Sequence, residues 1–215
     1  MKLDKIAEEL DIIIEDIDYQ QYINLWKEFY QGNVTGFHSY EEFNGAKNTK
    51  IERMSLGMAK KTAEDWADTL FNPETTITVD ESYQDRLDEL FQELDLVNVI
   101  NDQLERGFAL GTSALITNRV NDKITVSVAS ADMLYPVTSD DKDGWLVLSG
   151  LPNGDIYLSI HWDDYTVHNH ILRKEDKEYK LLPQHIAESE YGIETIVENK
   201  VPMIHIVKPA NSNNI

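Results

Sequence analysis

The sequence predicts an α+β fold, a mostly helical first half followed by a mostly antiparallel β-sheet. Three observations carry this. Through most of residues 3–110 apolar side chains recur every three or four positions, the spacing of amphipathic helices. From Thr112 the pattern changes to short β-branched and aromatic runs separated by turn-rich segments. Among those runs falls the strongest hairpin signal in the chain, Asn153-Gly154, which suits a type I′ turn.

Residues 3 to about 30 read as one helix. Leu3, Ile6, Leu10, Ile13 and Ile17 form its stripe, Leu25, Trp26 and Phe29 continue it, and acids such as Glu8, Glu9, Asp11, Glu15, Asp16 and Asp18 fill the other faces. Tyr30 to Thr49, broken by Gly32, Gly36 and Gly45, reads as a long loop. A second helix is expected from about Thr49 to Leu70 on the stripe Ile51, Met54, Met58, Thr62, Trp66 and Leu70, stopped by Asn72-Pro73. On this stripe Trp66 is expected in the core of the helical half. Thr75–Asp80 alternates Ile77 and Val79 like a short strand. Helical spacing returns at Tyr83, with Leu87, Leu90, Phe91 and Leu94, then Val97, Ile100 and Leu104, ending near Arg106-Gly107 with Gly111 as a further break.

Strands are expected at 114–117, 123–128, 144–149, 155–162, 165–172, more faintly at 180–183, and last at 201–207. Pro209 ends the last strand, and Asn211, Asn213 and Asn214 favour turns. The expected organisation is a helical part over 1–111, an antiparallel β part over 112–207, and a linker over 208–215. No internal repeat or low-complexity tract stands out.

A chain of 215 residues with 41% apolar side chains can bury a substantial core. Its charge is unusual: 19 Lys and Arg against 39 Asp and Glu, a formal -20. Such a surface repels nucleic acid phosphates and anionic lipid, so tight duplex DNA binding and membrane docking are both disfavoured. With no cysteine, disulfides, thiolate nucleophiles and cysteine zinc sites are excluded. No apolar run approaches the roughly 18 residues of a spanning helix. The first residues carry acids where a signal peptide needs its apolar stretch, so the chain reads as intracellular when made.

No catalytic, cofactor or metal residue is assigned. His161, His168 and His170 lie on two neighbouring strands near Asp163 and Asp164, but a polar sheet face explains them better than a metal site. Asp140, Asp141, Asp143 and Gly144 resemble the opening of a calcium loop, yet Ser139 and Gly150 stand where its first and twelfth positions need carboxylates. Gly107–Gly111 lacks any phosphate-loop spacing. Glu89 and Glu93, one helical turn apart, match many pairs on an acidic helix. Trp26, Trp66, Trp145 and Trp162 sit on apolar stripes and read as core anchors, not as base-stacking platforms, which normally come with flanking cations.

Several segments read in order resemble the portal proteins of tailed bacteriophages of Gram-positive hosts. They are LWKEFYQGNVTGFHSY at 25–40, MSLGMAKKTAEDWADTLFNPETTITVD at 54–80, NDQLERGFALGTSALI at 101–116, then ASADMLYPVTSDD, YLSIHW and VPMIHIVKPANSNNI. The resemblance implies the N-terminal, wing-forming part of a homo-oligomeric ring, usually of twelve subunits, in the virion at one capsid vertex. It further implies docking of the terminase large subunit and head-tail connectors, contact with major capsid and scaffolding proteins, and double-stranded DNA passing through without tight binding. Such a protein has no catalytic residues and no cofactor, and the host cytoplasm is where it would be made. In such a protein 208–215 would lead to a stem, and without it 1–215 should give monomers or small, salt-sensitive oligomers. The alternatives are a Mg²⁺-dependent nuclease or hydrolase, which needs convergent carboxylates and basic phosphate contacts whereas the lysines here are scattered and only Lys60-Lys61 pair up among them, and an acidic adaptor protein.

Overall fold

A computed structural model describes residues 3–15, 20–34, 36–120, 123–140, 142–176 and 178–207. In chain order the elements are α1 (Leu3–Leu10), β1 (Ile13–Ile14), α2 (Gln20–Gln31), β2 (Ser39–Phe43), β3 (Asn48–Glu52), α3 (Met58–Leu70), α4 (Glu81–Glu93) and α5 (Leu96–Leu110). Then come β4 (Ser113–Val120), β5 (Lys123–Ser130), β6 (Leu134–Ser139), β7 (Lys142–Gly150), β8 (Ile156–Trp162), β9 (Thr166–Glu175) and β10 (Glu178–Leu181). The series closes with α6 (Gln184–Tyr191), β11 (Ile196–Glu198) and β12 (Ile204–Val207). The class is α+β, with helices dominating the first part and antiparallel pairing the second.

Two units are distinguished. The sheet unit draws on the described residues among 1–17, 116–118 and 133–205, the helical unit on those among 18–115, 119–132 and 206–215. In the sheet unit, β1-β6-β7-β8-β9-β10 form one antiparallel path, and β11 pairs with β9 beside them. Strand alternation gives each face its own cover. One face carries Val137, Leu146, Leu148, Leu158, Ile160, Trp162 and Leu172, packed with Ile6, Ala7 and Ile12 of the α1 segment. On the other, Ile171 packs with Leu182 and with Ala187 of α6.

The helix expected over residues 3–30 is interrupted. Asp11 takes a left-handed φ of 54°, and the amides of Asp11 and Ile12 bond back to Glu8 and Ala7, the arrangement of a Schellman cap. The β-branched Ile13 and Ile14 then pair with Thr138 and Val137 of β6. Asp16, Ile17 and Asp18 lie outside the described residues, as does the expected linker over 208–215.

The expected loop at 30–49 and the start of the second helix instead hold the β2–β3 hairpin, with Tyr40 opposite Ile51. Its strands are polar and mostly exposed, so no apolar alternation marked them. α3 begins only at Met58, after Gly57 with φ 62°. Thr75–Asp80 forms no strand, since Ile77 and Val79 lie exposed without a ladder partner. A left-handed Asp95 (φ 50°) divides α4 from α5, and α5 runs past Gly107 to a Gly111 cap at φ 84°.

The β7–β8 hairpin turns where expected, but not as a type I′ turn. Of the pair only Gly154 is left-handed (φ 88°), and its amide bonds Leu151 O at 2.9 Å. This places Pro152 and Asn153 at the centre of a turn in which Pro152 presets φ. Three further elements were hidden from periodicity: β6, which contains Pro136; the short α6; and the three-residue β11. Pro136 is tolerated because its carbonyl, not an amide, serves the β1 side, accepting from Glu15 N at 2.9 Å.

Candidate functional site

The structure parts the three histidines. In the antiparallel register His161 stands opposite Val167, whereas His168 faces Ile160 and His170 faces Leu158. Residues paired this way share a face, so His161 lies on one side of the sheet and the other two on the opposite side. His161 is buried, with Nε2 3.1 Å from Ser159 Oγ. Burial pulls its pKa down to about 4, so the ring is neutral at pH 7. His170 is likewise held to about 4 by burial, then by His168. Among the described residues no group of three or more His, Asp and Glu side chains is placed to hold a metal.

Asp140, left-handed at φ 48°, sits in the turn between β6 and β7, whose last pair is Ser139 with Lys142. Asp141 lies outside the described residues. Asp164 accepts from Lys142 at 2.5 Å, which with the Thr166 contacts holds its carboxyl down at about 2. Glu89 and Glu93 share one cation, Arg86, at 2.9 and 4.0 Å on the open face of α4. Gly107 is a packing position: a Cβ there would lie 3.0 Å from Ser113 Oγ, which donates to Gln103 O at 2.7 Å.

The four tryptophans divide. Trp162 is buried, Trp26 and Trp145 are half-buried, and Trp66 is 58% exposed. Trp66 is therefore not in the core. On α3 the buried seam is Ala63 and Ala67, and the stripe Met58, Thr62, Trp66 and Leu70 points away from it. The physical reason is spacing between axes. Small alanines let α3 approach closely, and the bulky stripe then lies at the edge of the helix contact, largely uncovered.

That stripe builds a concave surface of the helical unit. α2, α3 and α5 enclose an open groove of about 880 Å³, walled by Trp26, Phe29, Met58, Trp66, Leu70 and Phe108. Trp66 and Phe108 meet as tilted rings 5.9 Å apart. α2 is anchored below by Ile23 against Leu110 and Ala131, and by Lys27 bonding Asp132 at 2.5 Å. Tyr30 donates to Glu105 at the groove margin, where burial and that carboxylate push its phenol well above the usual range. Lys60 stands 6.0 Å over the Tyr30 ring. The walls offer apolar and aromatic surface with polar groups at the margin, suited to docking another surface. The stripe is visible in the sequence as expected, but the alanine pair Ala63 and Ala67, not the stripe, marks the buried direction.

A family model described as phage portal protein, SPP1 Gp6-like, matches residues 11–192. No curated protein matches the chain.

Proposed function

This chain belongs to the SPP1 Gp6-like family of phage portal proteins, and from that premise we propose that it is the wing-forming part of a ring at one vertex of the capsid. The coarse role is structural, in the phage particle. The finer reading is a homo-oligomer, usually of twelve subunits, through which double-stranded DNA is packaged and ejected. The terminase large subunit and the head-tail connectors dock on it in turn, and major capsid and scaffolding proteins surround it. The chain itself catalyses nothing and binds no cofactor; nucleotide hydrolysis belongs to the terminase.

The match over 182 residues carries this reading. The charge is consistent with it, because a conduit at -20 per subunit repels the duplex it passes instead of retaining it. Negative-stain images of the complete gene product test it. Rings with a central hole support the proposal. Uniform monomers, or Mg²⁺-dependent DNA cleavage abolished by one carboxylate substitution, overturn it in favour of the nuclease alternative.

A further inference from the structure

The helical unit carries two surfaces of opposite character, and each leaves apolar side chains uncovered. The first is the α2–α3–α5 groove with the segment leading into it. Phe29, Met58, Trp66 and Leu70 are each more than half exposed along the groove, and Met54 and Leu56 just before it are 95% and 87% exposed. Uncovered apolar surface on this scale marks an interaction site. Its charge runs against the rest of the chain. Residues 47–61 hold Lys47, Lys50, Arg53, Lys60 and Lys61 against one acid, Glu52, a formal +4 within a protein of -20, before Glu64, Asp65 and Asp68 follow on α3. Several of these cations already have near neighbours: Lys50 with Glu52, Lys60 with Glu64, Lys61 with Asp65, and Arg53 against Phe37 and Tyr40. All three ion pairs are exposed and local, so each contributes little and can exchange for another carboxylate.

The second surface is α4 with the segment before it. Residues 74–95 hold eight acids and one base, Arg86, a formal -7. No residue of α4 is buried, and Ile77, Val79 and Tyr83 are exposed beside the acids.

We propose that these two surfaces bind each other between copies of this chain, the acidic α4 face of one copy seated on the basic margin and apolar groove of the next. A second copy is the partner that the charges specify, because the chain itself supplies the acidic, partly apolar complement. Two different patches of one chain that pair in this way make a heterologous, head-to-tail contact, which closes into a ring when the rotation allows. The inference rests on the portal reading for that closure. It adds the residues that would form the contact.

The test is zero-length carbodiimide crosslinking of the whole chain, mixed from ¹⁴N and ¹⁵N preparations. Mixed-isotope peptides joining Lys60 or Lys61 to acids of 81–95 are expected. Lys60→Glu with Lys61→Glu should weaken self-association in sedimentation by roughly tenfold or more, as should Asp88→Lys with Glu89→Lys, and all four together should restore it. Trp66→Ser should weaken it comparably with an unchanged melting temperature. Crosslinks confined within one chain or placed elsewhere, monomer at every concentration, or reversals without rescue overturn the proposal. Rings in the images without these crosslinks overturn the contact and leave the portal reading standing. The crosslinks without rings support the contact and overturn the portal reading.

Discussion

Gly144 of β7 lies directly against the indole of Trp162 in β8, so close that a Cβ on the glycine would sit 2.8 Å from Cε3 of the ring. The same Cβ would lie 2.7 Å from His161 O, a backbone atom that cannot swing away. The glycine is required by a close approach between strands, which lets Trp162 lie down into the face covered by α1.

Gly144→Ala should therefore destabilise the chain by about 1–3 kcal/mol through overpacking. A thermal melt that matches the native protein would show that the ring and strand shift freely.

Trp66 and Trp162 should respond differently to truncation. Trp162 is only 7% exposed and Trp66 58%. Trp162→Ala should cost about 3–5 kcal/mol, and Trp66→Ala less than about 1 kcal/mol in the monomer. Chemical denaturation of the two variants compares them directly, and an equal loss for both would place Trp66 back in a core.

His161 predicts a pH dependence with a definite sign. Its folded pKa is lowered to about 4 by burial, while an unfolded histidine titrates near ~6.5. Its stabilising contribution is full above that unfolded value. As pH falls from about 6.5 toward 4 the unfolded state binds the extra proton, and stability declines. The stability gap between native protein and His161→Gln should shrink by roughly 2 kcal/mol between pH 7 and pH 4.5. Taking the difference cancels the many carboxylates common to both. A gap that stays constant across that range would contradict the buried neutral ring.

Asp155 secures the start of β8. Its carboxylate accepts from Tyr191 Oη, from Lys174 N at 2.9 Å and from Asn153 Nδ2 at 2.9 Å. The Tyr191 bond, then the Lys174 amide, hold its pKa below the usual range. Asp155→Ala should cost about 1–3 kcal/mol at pH 7, where the carboxylate is ionised in both states. The contribution is present above the ordinary aspartate value and is lost as pH falls through the lowered one. Faster amide exchange at Lys174 should accompany the loss, and unchanged exchange there would count against this role.

The α+β class, the strands β7, β8 and β9, the place of the hairpin at Asn153-Gly154 and the resemblance that the family match upholds could be read from the residues alone. These were legible because strands in a buried sheet alternate regardless of neighbours, and turn residues act locally. What covers each apolar stripe followed only from the packing of distant segments. Periodicity locates a face without naming its partner, so Met58, Thr62, Trp66 and Leu70 read as core, while the alanines behind them made the actual seam. The continuous stripe through Ile13 likewise hid a break at Asp11, because pairing of Ile13 and Ile14 with β6 outweighed their fit to a helix. Register separated His161 from His168 and His170, since parity along one strand says nothing of its phase against the next. Local chemistry wrote the elements; close approach, register and uncovered surface were settled only when distant segments met.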